Sequence, residues 1–368
     1  MIAFGILVAL IAAACSDGGG GGNDEAADVP GEPGIIRFAT SPEPPLDWME
    51  DQGIIEQMET ESGIAMVTLE TWQNLPLFAG GKVDVVSMGS YETPLFEQES
   101  GVETTTFGMY NLARDTLMAA DSDYQTASDI PRGCPMVVRT TAGMPDIWAG
   151  IIKTVDDREL AENSEDLPLL VADNQVTGDL ILEGEACYGL ADPMLWIPEL
   201  RTGKLHNMYD GRGPSEMYQE IEPGHEGMLT NAFVARTDWY ESHPEEVAYF
   251  LEVWQRALDE WHAHTDEIID AYPQHFPLDS EADVEYVKRY LTDPDFGFDW
   301  FADSVYLTDE WIEAEAGVID LLVAADRVEE GAEFQRHVAL EPESVCEDGA
   351  CDGDMPFEGE SGADNPSK

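Results

Sequence analysis

Positive charge is scarce in this chain: 17 Lys and Arg stand against 76 Asp and Glu among 368 residues, a formal net charge of -59. Nucleic-acid partners are thereby excluded, because affinity for phosphates needs clustered Lys and Arg. Enzyme signatures are missing too. There is no GxSxG elbow, no GxGxxG turn and no P-loop, so neither an α/β-hydrolase nor a nucleotide-binding enzyme is signalled, and no catalytic residue or cofactor is expected. His262 and His264 lie two apart on a helical stretch, which turns them to nearly opposite faces and argues against a metal pair. The acid is not a mark of disorder, because 43% of the residues are hydrophobic and Trp, Phe, Tyr, Ile and Val run from residue 35 to residue 325. It reads as a solvated surface whose self-repulsion salt must screen, so a salt-rich habitat, that of a halophile, is expected.

Long apolar runs are equally rare. The run Ile2 to Ala14 has 13 residues, which suits a signal-peptide core and falls short of the roughly 20 that a spanning helix needs. It ends in Ala12-Ala13-Ala14 before Cys15, and Ile11-Ala-Ala-Ala-Cys15 resembles a bacterial lipobox, whose cysteine is lipidated. Gly18 to Gly22 and the acidic stretch to Pro33 suit a flexible tether. The expectation is a signal peptide over 1–14, a lipoprotein tether over 15–33, and an exported chain anchored through Cys15 to the outer face of the cytoplasmic membrane. The other four cysteines, Cys134, Cys187, Cys346 and Cys351, form an even, pairable set that agrees with export. Cys134 and Cys187 each begin one of two strands expected to be neighbours, and Cys346 with Cys351 fits a small local loop.

From Gly34 onward short apolar runs alternate with amphipathic stretches, a βαβ rhythm. Strands are expected at 35–39, 65–69, 83–88, 102–110 and 115–120, then at 135–139, 167–172 and 186–191, with 228–235 returning to the first group. A long helix is expected from Pro244 to about Tyr272, where Val247, Phe250, Leu251, Trp254, Leu258 and Trp261 keep helical spacing. The chain is read as building one lobe, crossing into a second and crossing back. Lobe one takes 34–117 and 226–340 with C-terminal helices, lobe two takes 118–225, and 341–368 is an acidic tail.

The order of certain segments carries a resemblance. Leu77-Phe-Ala-Gly-Gly-Lys-Val-Asp84-Val-Val-Ser-Met-Gly89-Ser90, Ile130-Pro131 through Thr140-Thr141-Ala-Gly143, Gly184-Glu-Ala-Cys-Tyr-Gly-Leu-Ala-Asp192-Pro193 and His243-Pro244-Glu245 together resemble the nitrate, sulfonate and taurine class of periplasmic solute-binding proteins. Ala191 stands where the taurine pattern has tryptophan. The resemblance spans roughly Ile35 to Phe276. It implies an α/β, two-lobed type II periplasmic-binding-protein fold, with discontinuous lobes joined by a two-strand hinge. It also implies a monomer that captures a small molecule and meets the permease subunits of an ABC (ATP-binding-cassette) importer.

In open α/β sheets, ligands sit beyond the carboxyl ends of strands, where helices begin. The groups at those ends are Ser41, Ser90 and Tyr91 in lobe one, and Thr140, Thr141, Asp192 and Trp196 in lobe two. Hydroxyls and amide donors suit a small oxyanion, sulfonate-, taurine-, nitrate- or carboxylate-like, with Asp192 taking a donor and the two aromatics as walls. Ordinary helix capping accounts for the same Ser, Thr and Asp residues equally well. Two other functional classes remain open: a sensor's ligand-binding ectodomain, and an enzyme on the same fold related to pyrimidine or menaquinone biosynthesis.

Overall fold

The computed structural model describes residues 33–71, 74–113, 115–141, 143–221, 230–276, 278–293, 296–297, 300–329 and 336–340. Cys15, Cys346 and Cys351 lie outside them. Among the described residues twelve strands make two six-stranded sheets. In chain order they are β1 (Ile35–Thr40), β2 (Ala65–Glu70), β3 (Val85–Gly89), β4 (Thr104–Leu112), β5 (Thr116–Ala119), β6 (Met136–Val138), β7 (Leu160–Ala161), β8 (Leu167–Val171), β9 (Tyr188–Ala191), β10 (His206–Asn207), β11 (Thr230–Arg236) and β12 (Arg336–His337).

The first sheet runs β12-β4-β11-β3-β1-β2 and the second β10-β5-β9-β6-β8-β7. Each repeats one plan. A parallel group, β2-β1-β3 or β8-β6-β9, meets a strand of opposite direction, β11 or β5, that comes from the far side of a crossover. The inner parallel strands β1, β3, β6 and β9 are buried on both faces and so read as near-continuous apolar runs, whereas β2 and β8 leave Val67, Leu69 and Val171 exposed. Because strands of one direction end on one side of their sheet, Thr40 and Gly89 close lobe one toward the cleft as Val138 and Ala191 close lobe two.

Lobe one is held by an aromatic core. Phe38 of β1, Phe233 of β11, and Phe250 and Trp254 of the helix Pro244–Ala271 are fully buried. Their rings meet at 4.8 Å (Phe233 and Phe250), 5.0 Å (Phe38 and Phe250) and 5.0 Å (Phe233 and Trp254), near the favoured edge-on spacings. In lobe two the helix Met144–Asp156 is buried on all sides from Met144 to Ile152, with Ile147, Trp148, Ile151 and Ile152 in the lobe's apolar cluster. Beneath it Cys134 and Cys187 are disulfide-bonded, their Cα atoms 5.9 Å apart and 53 positions apart in sequence. They flank strands that run parallel in register, Met136 beside Tyr188. Closing a loop of that length restricts the unfolded chain by about 4 kcal/mol in the chain-entropy account.

Two boundaries differ from the expectation. Lobe two begins at Thr116 rather than at residue 118, because β5 pairs with β9 throughout its length. The stretch 226–340 does not stay with lobe one. Val318, Leu321 and Leu322 pack in the apolar cluster of lobe two, where the Leu321 carbonyl lies so close to Gly150 that a Cβ there has no room. The chain then returns to lobe one as β12, parallel to β4 at the sheet edge. The reason is generic: an apolar helix face specifies burial without specifying which lobe provides it.

Candidate functional site

The lobes face each other across the carboxyl ends of their strands. At the end of β1 the Ser41 hydroxyl donates to Glu43 Oε1 at 2.6 Å, and the Tyr110 hydroxyl donates to the same oxygen at 2.9 Å. Glu43 is 1% exposed, and sequence reasoning missed it because a glutamate beside Pro44 reads as surface. Tyr110 is raised far above the usual tyrosine range, by burial first and by Glu43 second.

At the end of β3 the chain turns sharply, with the Tyr91 ring folded over Gly89, where no side chain larger than hydrogen fits. The Gly89 amide donates to Glu92 Oε2 at 2.9 Å. Burial raises the Glu92 carboxyl above its ordinary range, while the Gly89 amide and the Arg139 guanidinium pull it back. Tyr91 is 8% exposed and belongs to the apolar cluster of lobe two, so it ties the lobes together.

Lobe two answers with Arg139, Thr140 and Thr141 after β6. Gly143, at φ 79°, precedes the helix Met144–Asp156, and its amide donates to Asp146 Oδ2 at 3.0 Å. A Cβ on Gly143 would lie 2.8 Å from Glu92 Oε1, which measures how closely the lobes approach. Asp146 is 1% exposed and meets Arg327 Nε at 2.6 Å. Burial raises its carboxyl, against Arg327 and the Gly143 amide. Arg327 also donates to the Thr141 carbonyl at 3.3 Å.

Asp192 caps its own helix start, accepting from the Met194 amide at 2.9 Å. Trp196 is 7% exposed and packs with Met118, Val137 and Leu205 in the core of lobe two, over Gly178. The structure thus places Trp196, expected as a ligand wall, in the core of lobe two; next to a strand end, a large aromatic is drawn inward by the area it buries.

Two charged groups missed in the sequence complete the picture. Arg139 is an exposed cation beside Glu92, and in a chain this poor in Lys and Arg its place at a strand end was a usable signal. Glu315, on the helix Asp309–Ala316, is 4% exposed. Burial pushes its carboxyl up to about 8, and neither of its oxygens finds a hydrogen-bond partner among the described residues. Ser41 and Ser90 follow strands of lobe one and Thr140 and Thr141 a strand of lobe two, and the amides of Gly89, Gly143 and Met194 are taken by carboxylates of the chain itself. Among the described residues no group of His, Cys, Asp and Glu is arranged to hold a metal.

No protein-family model and no curated protein matches this chain. Solved structures do. The periplasmic aliphatic sulphonate-binding protein of Escherichia coli aligns at 14% identity over 84% of this chain and 94% of its own, with a TM-score of 0.62. The alkanesulfonate-binding protein of Xanthomonas axonopodis pv. citri, solved bound to MOPS, aligns at 15% identity over 81% and 96%, with a TM-score of 0.60. A Candida albicans protein that defines a family with the generic periplasmic binding protein fold aligns at 11% identity over 81% and 92%, with a TM-score of 0.56. Strand order, the crossover strands β5 and β11, and these likenesses agree: the chain has the two-lobed type II periplasmic-binding-protein fold.

Proposed function

We propose that this chain is an extracytoplasmic solute-binding protein, not an enzyme, that captures a small oxyanion between its lobes and delivers it to an ABC importer. One observation carries the reading: the donors at the strand ends already hold carboxylate oxygens, with Ser41 on Glu43 and the Gly89 and Gly143 amides on Glu92 and Asp146. Groups that hold a carboxylate can hold a sulfonate or carboxylate of a solute. The nearby cation for such a solute is Arg139, which neutral capping groups do not replace. The two sulfonate-binding neighbours support the same ligand class.

The experiment is a thermal-shift panel in high salt with taurine, alkane sulfonates, nitrate, small carboxylates, betaine and a pyrimidine. A ligand at 100 times its Kd stabilises by about 2.7 kcal/mol, which moves the midpoint by several degrees. A sulfonate or carboxylate should give that shift in the native protein, and Arg139→Ala should weaken its binding by roughly tenfold or more. Stabilisation by betaine or the pyrimidine alone, with Arg139→Ala silent, would discard the oxyanion.

Anchoring through Cys15 belongs to the same proposal and rests on the apolar run before it. Mass spectrometry of membrane-extracted protein should find a diacylated Cys15 at the N terminus, and Cys15→Ser should abolish that species. Recovery of an unmodified Met1 terminus would reject the anchor. Gene neighbours separate the remaining alternatives: permease and ATPase genes fit import, a kinase fits a sensor, and biosynthetic genes fit an enzyme.

A further inference from the structure

One stretch of chain leaves lobe one, docks on lobe two and comes back. On the way out it lies along β4, where the Val305 carbonyl accepts from the Met109 amide at 3.0 Å and the Ala302 amide donates to the Tyr110 carbonyl at 2.9 Å. On the way back it is β12, parallel to the same strand, with the Val338 amide on the Thr106 carbonyl at 3.0 Å. Between these two anchors the helix Val318–Ala324 packs Val318, Leu321 and Leu322 into the apolar cluster of lobe two. It comes that near because Gly150 of the helix Met144–Asp156 has no side chain; the Leu321 carbonyl lies where one would begin.

The end of this strap reaches the strand-end loop of lobe two. Asp326, at φ 58°, reverses the chain, and the amides of Asp326 and Arg327 close on the carbonyls of Val323 and Leu322 at 3.0 and 2.8 Å, the hydrogen-bond pair of a Schellman turn. Val328 is buried just beyond in the cluster of lobe two, so Arg327 is fixed from both sides. Its Nε forms an ion pair with Asp146 Oδ1 at 2.6 Å, and its Nη2 donates to the Thr141 carbonyl at 3.3 Å. The other Asp146 oxygen accepts from the Gly143 amide at 3.0 Å. One guanidinium therefore holds the chain after β6 at two points, directly at Thr141 and through Asp146 at Gly143.

We propose that Arg327 is a positioning residue for the solute site: carried on a strap that lobe one anchors at both ends, it fixes Arg139, Thr140 and Thr141 of lobe two in place, so the site is set only while the strap is docked. What those residues hold rests on the solute-binding reading above; what holds them rests on the contacts of Arg327 alone. The two anchors on β4 keep the strap near lobe two at a high effective concentration, so a modest set of contacts suffices to dock it. A planar guanidinium suits the role, because its fixed fork reaches two acceptors at once where an ammonium offers a point charge. When the strap lifts, the loop loosens, and the observed solute affinity falls with the fraction of molecules that remain docked.

The test uses the full-length protein in high salt, with Arg327→Ala, Arg327→Lys and Gly150→Ala, and ethanesulfonate as the probe. Gly150→Ala favours the helix it sits in and takes the space of the Leu321 carbonyl, so it lifts the strap without altering Arg327. Without solute, Arg327→Ala and Gly150→Ala should each speed hydrogen exchange at least tenfold over residues 140–146, while β1 and β9 keep their protection as a check on folding. Arg327→Lys should keep the native exchange over 318–324 and fall between the native chain and Arg327→Ala over 140–146. In calorimetry, Arg327→Ala and Gly150→Ala should bind ethanesulfonate about tenfold more weakly than the native chain. Native exchange over 140–146 in folded Arg327→Ala would overturn the proposal whatever Gly150→Ala does, and so would native ethanesulfonate affinity in that variant. Absence of ethanesulfonate binding in every form, the native chain included, with the exchange changes present, would remove the sulfonate reading and leave Arg327 as the residue that holds the loop.

Discussion

The melting temperature is expected to rise by about 10 °C or more between 0.1 M and 2 M sodium chloride, equivalent to roughly 7–8 kcal/mol for a chain of this size. The driving term is the net charge of -59. Its few cations do little to dilute that charge on the surface, because several are committed to specific partners: Arg37 to Asp84, Arg158 to Asp166, Arg201 to Asp283 and Arg327 to Asp146. What is left is a shell of carboxylates that repel one another over a Debye length of about 10 Å at 0.1 M, shrinking to about 3 Å at 1 M. Potassium chloride at equal ionic strength should act like sodium chloride, since screening depends on ion number rather than identity. A flat profile in both salts would show that repulsion does not limit stability.

Trp254→Ala is expected to cost about 3–5 kcal/mol, near the top of the range for core truncations. Trp254 is fully exposed to neighbours and not to water, touching Phe38, Tyr110 and Phe233, with ring centroids 5.8, 4.6 and 5.0 Å away. It sits where the long helix crosses the first sheet, so little can collapse into the space it leaves. Trp254→Phe should cost much less, under about 1.5 kcal/mol. The Trp254 indole N–H finds no partner among the described residues, so phenylalanine removes no hydrogen bond. Urea titrations of the two variants in high salt check both magnitudes. Equal losses would mean that shape, not volume, governs the site.

Much of the fold was legible because strands buried on both faces write themselves as apolar runs. The nine longer strands fall within two or three residues of expectation at each end, and the helix Pro244–Ala271 was visible in its i, i+3, i+4 spacing. The short strands β7, β10 and β12 were not, since two residues hold no period. Ser41, Ser90, Thr140 and Thr141 were legible as strand-end hydroxyls. Their surroundings were not: Tyr110, which shares Glu43 Oε1 with Ser41, lies 69 positions beyond it in sequence, and local pattern carries no information about such a grouping. Trp196 follows the end of β9 as expected, and its burial in the core of lobe two was not legible from its position along the chain.

The place of β11 has a temporal consequence. That strand lies between β3 and β4 and pairs with both, yet it is made more than a hundred residues after them. The sheet of lobe one therefore cannot close while the chain is shorter than Arg236. Strands β5 to β10 of the second sheet are already complete at Asn207. The middle of the chain can thus form its sheet first, and the first-made segment must wait, with its strand edges unpaired, for a distant one to fill the gap. Such long-range closure is slow and exposes the waiting strands to wrong partners. During that interval the mutual repulsion of the acidic chain keeps separate molecules apart, so the charge that weakens the finished fold protects the unfinished one.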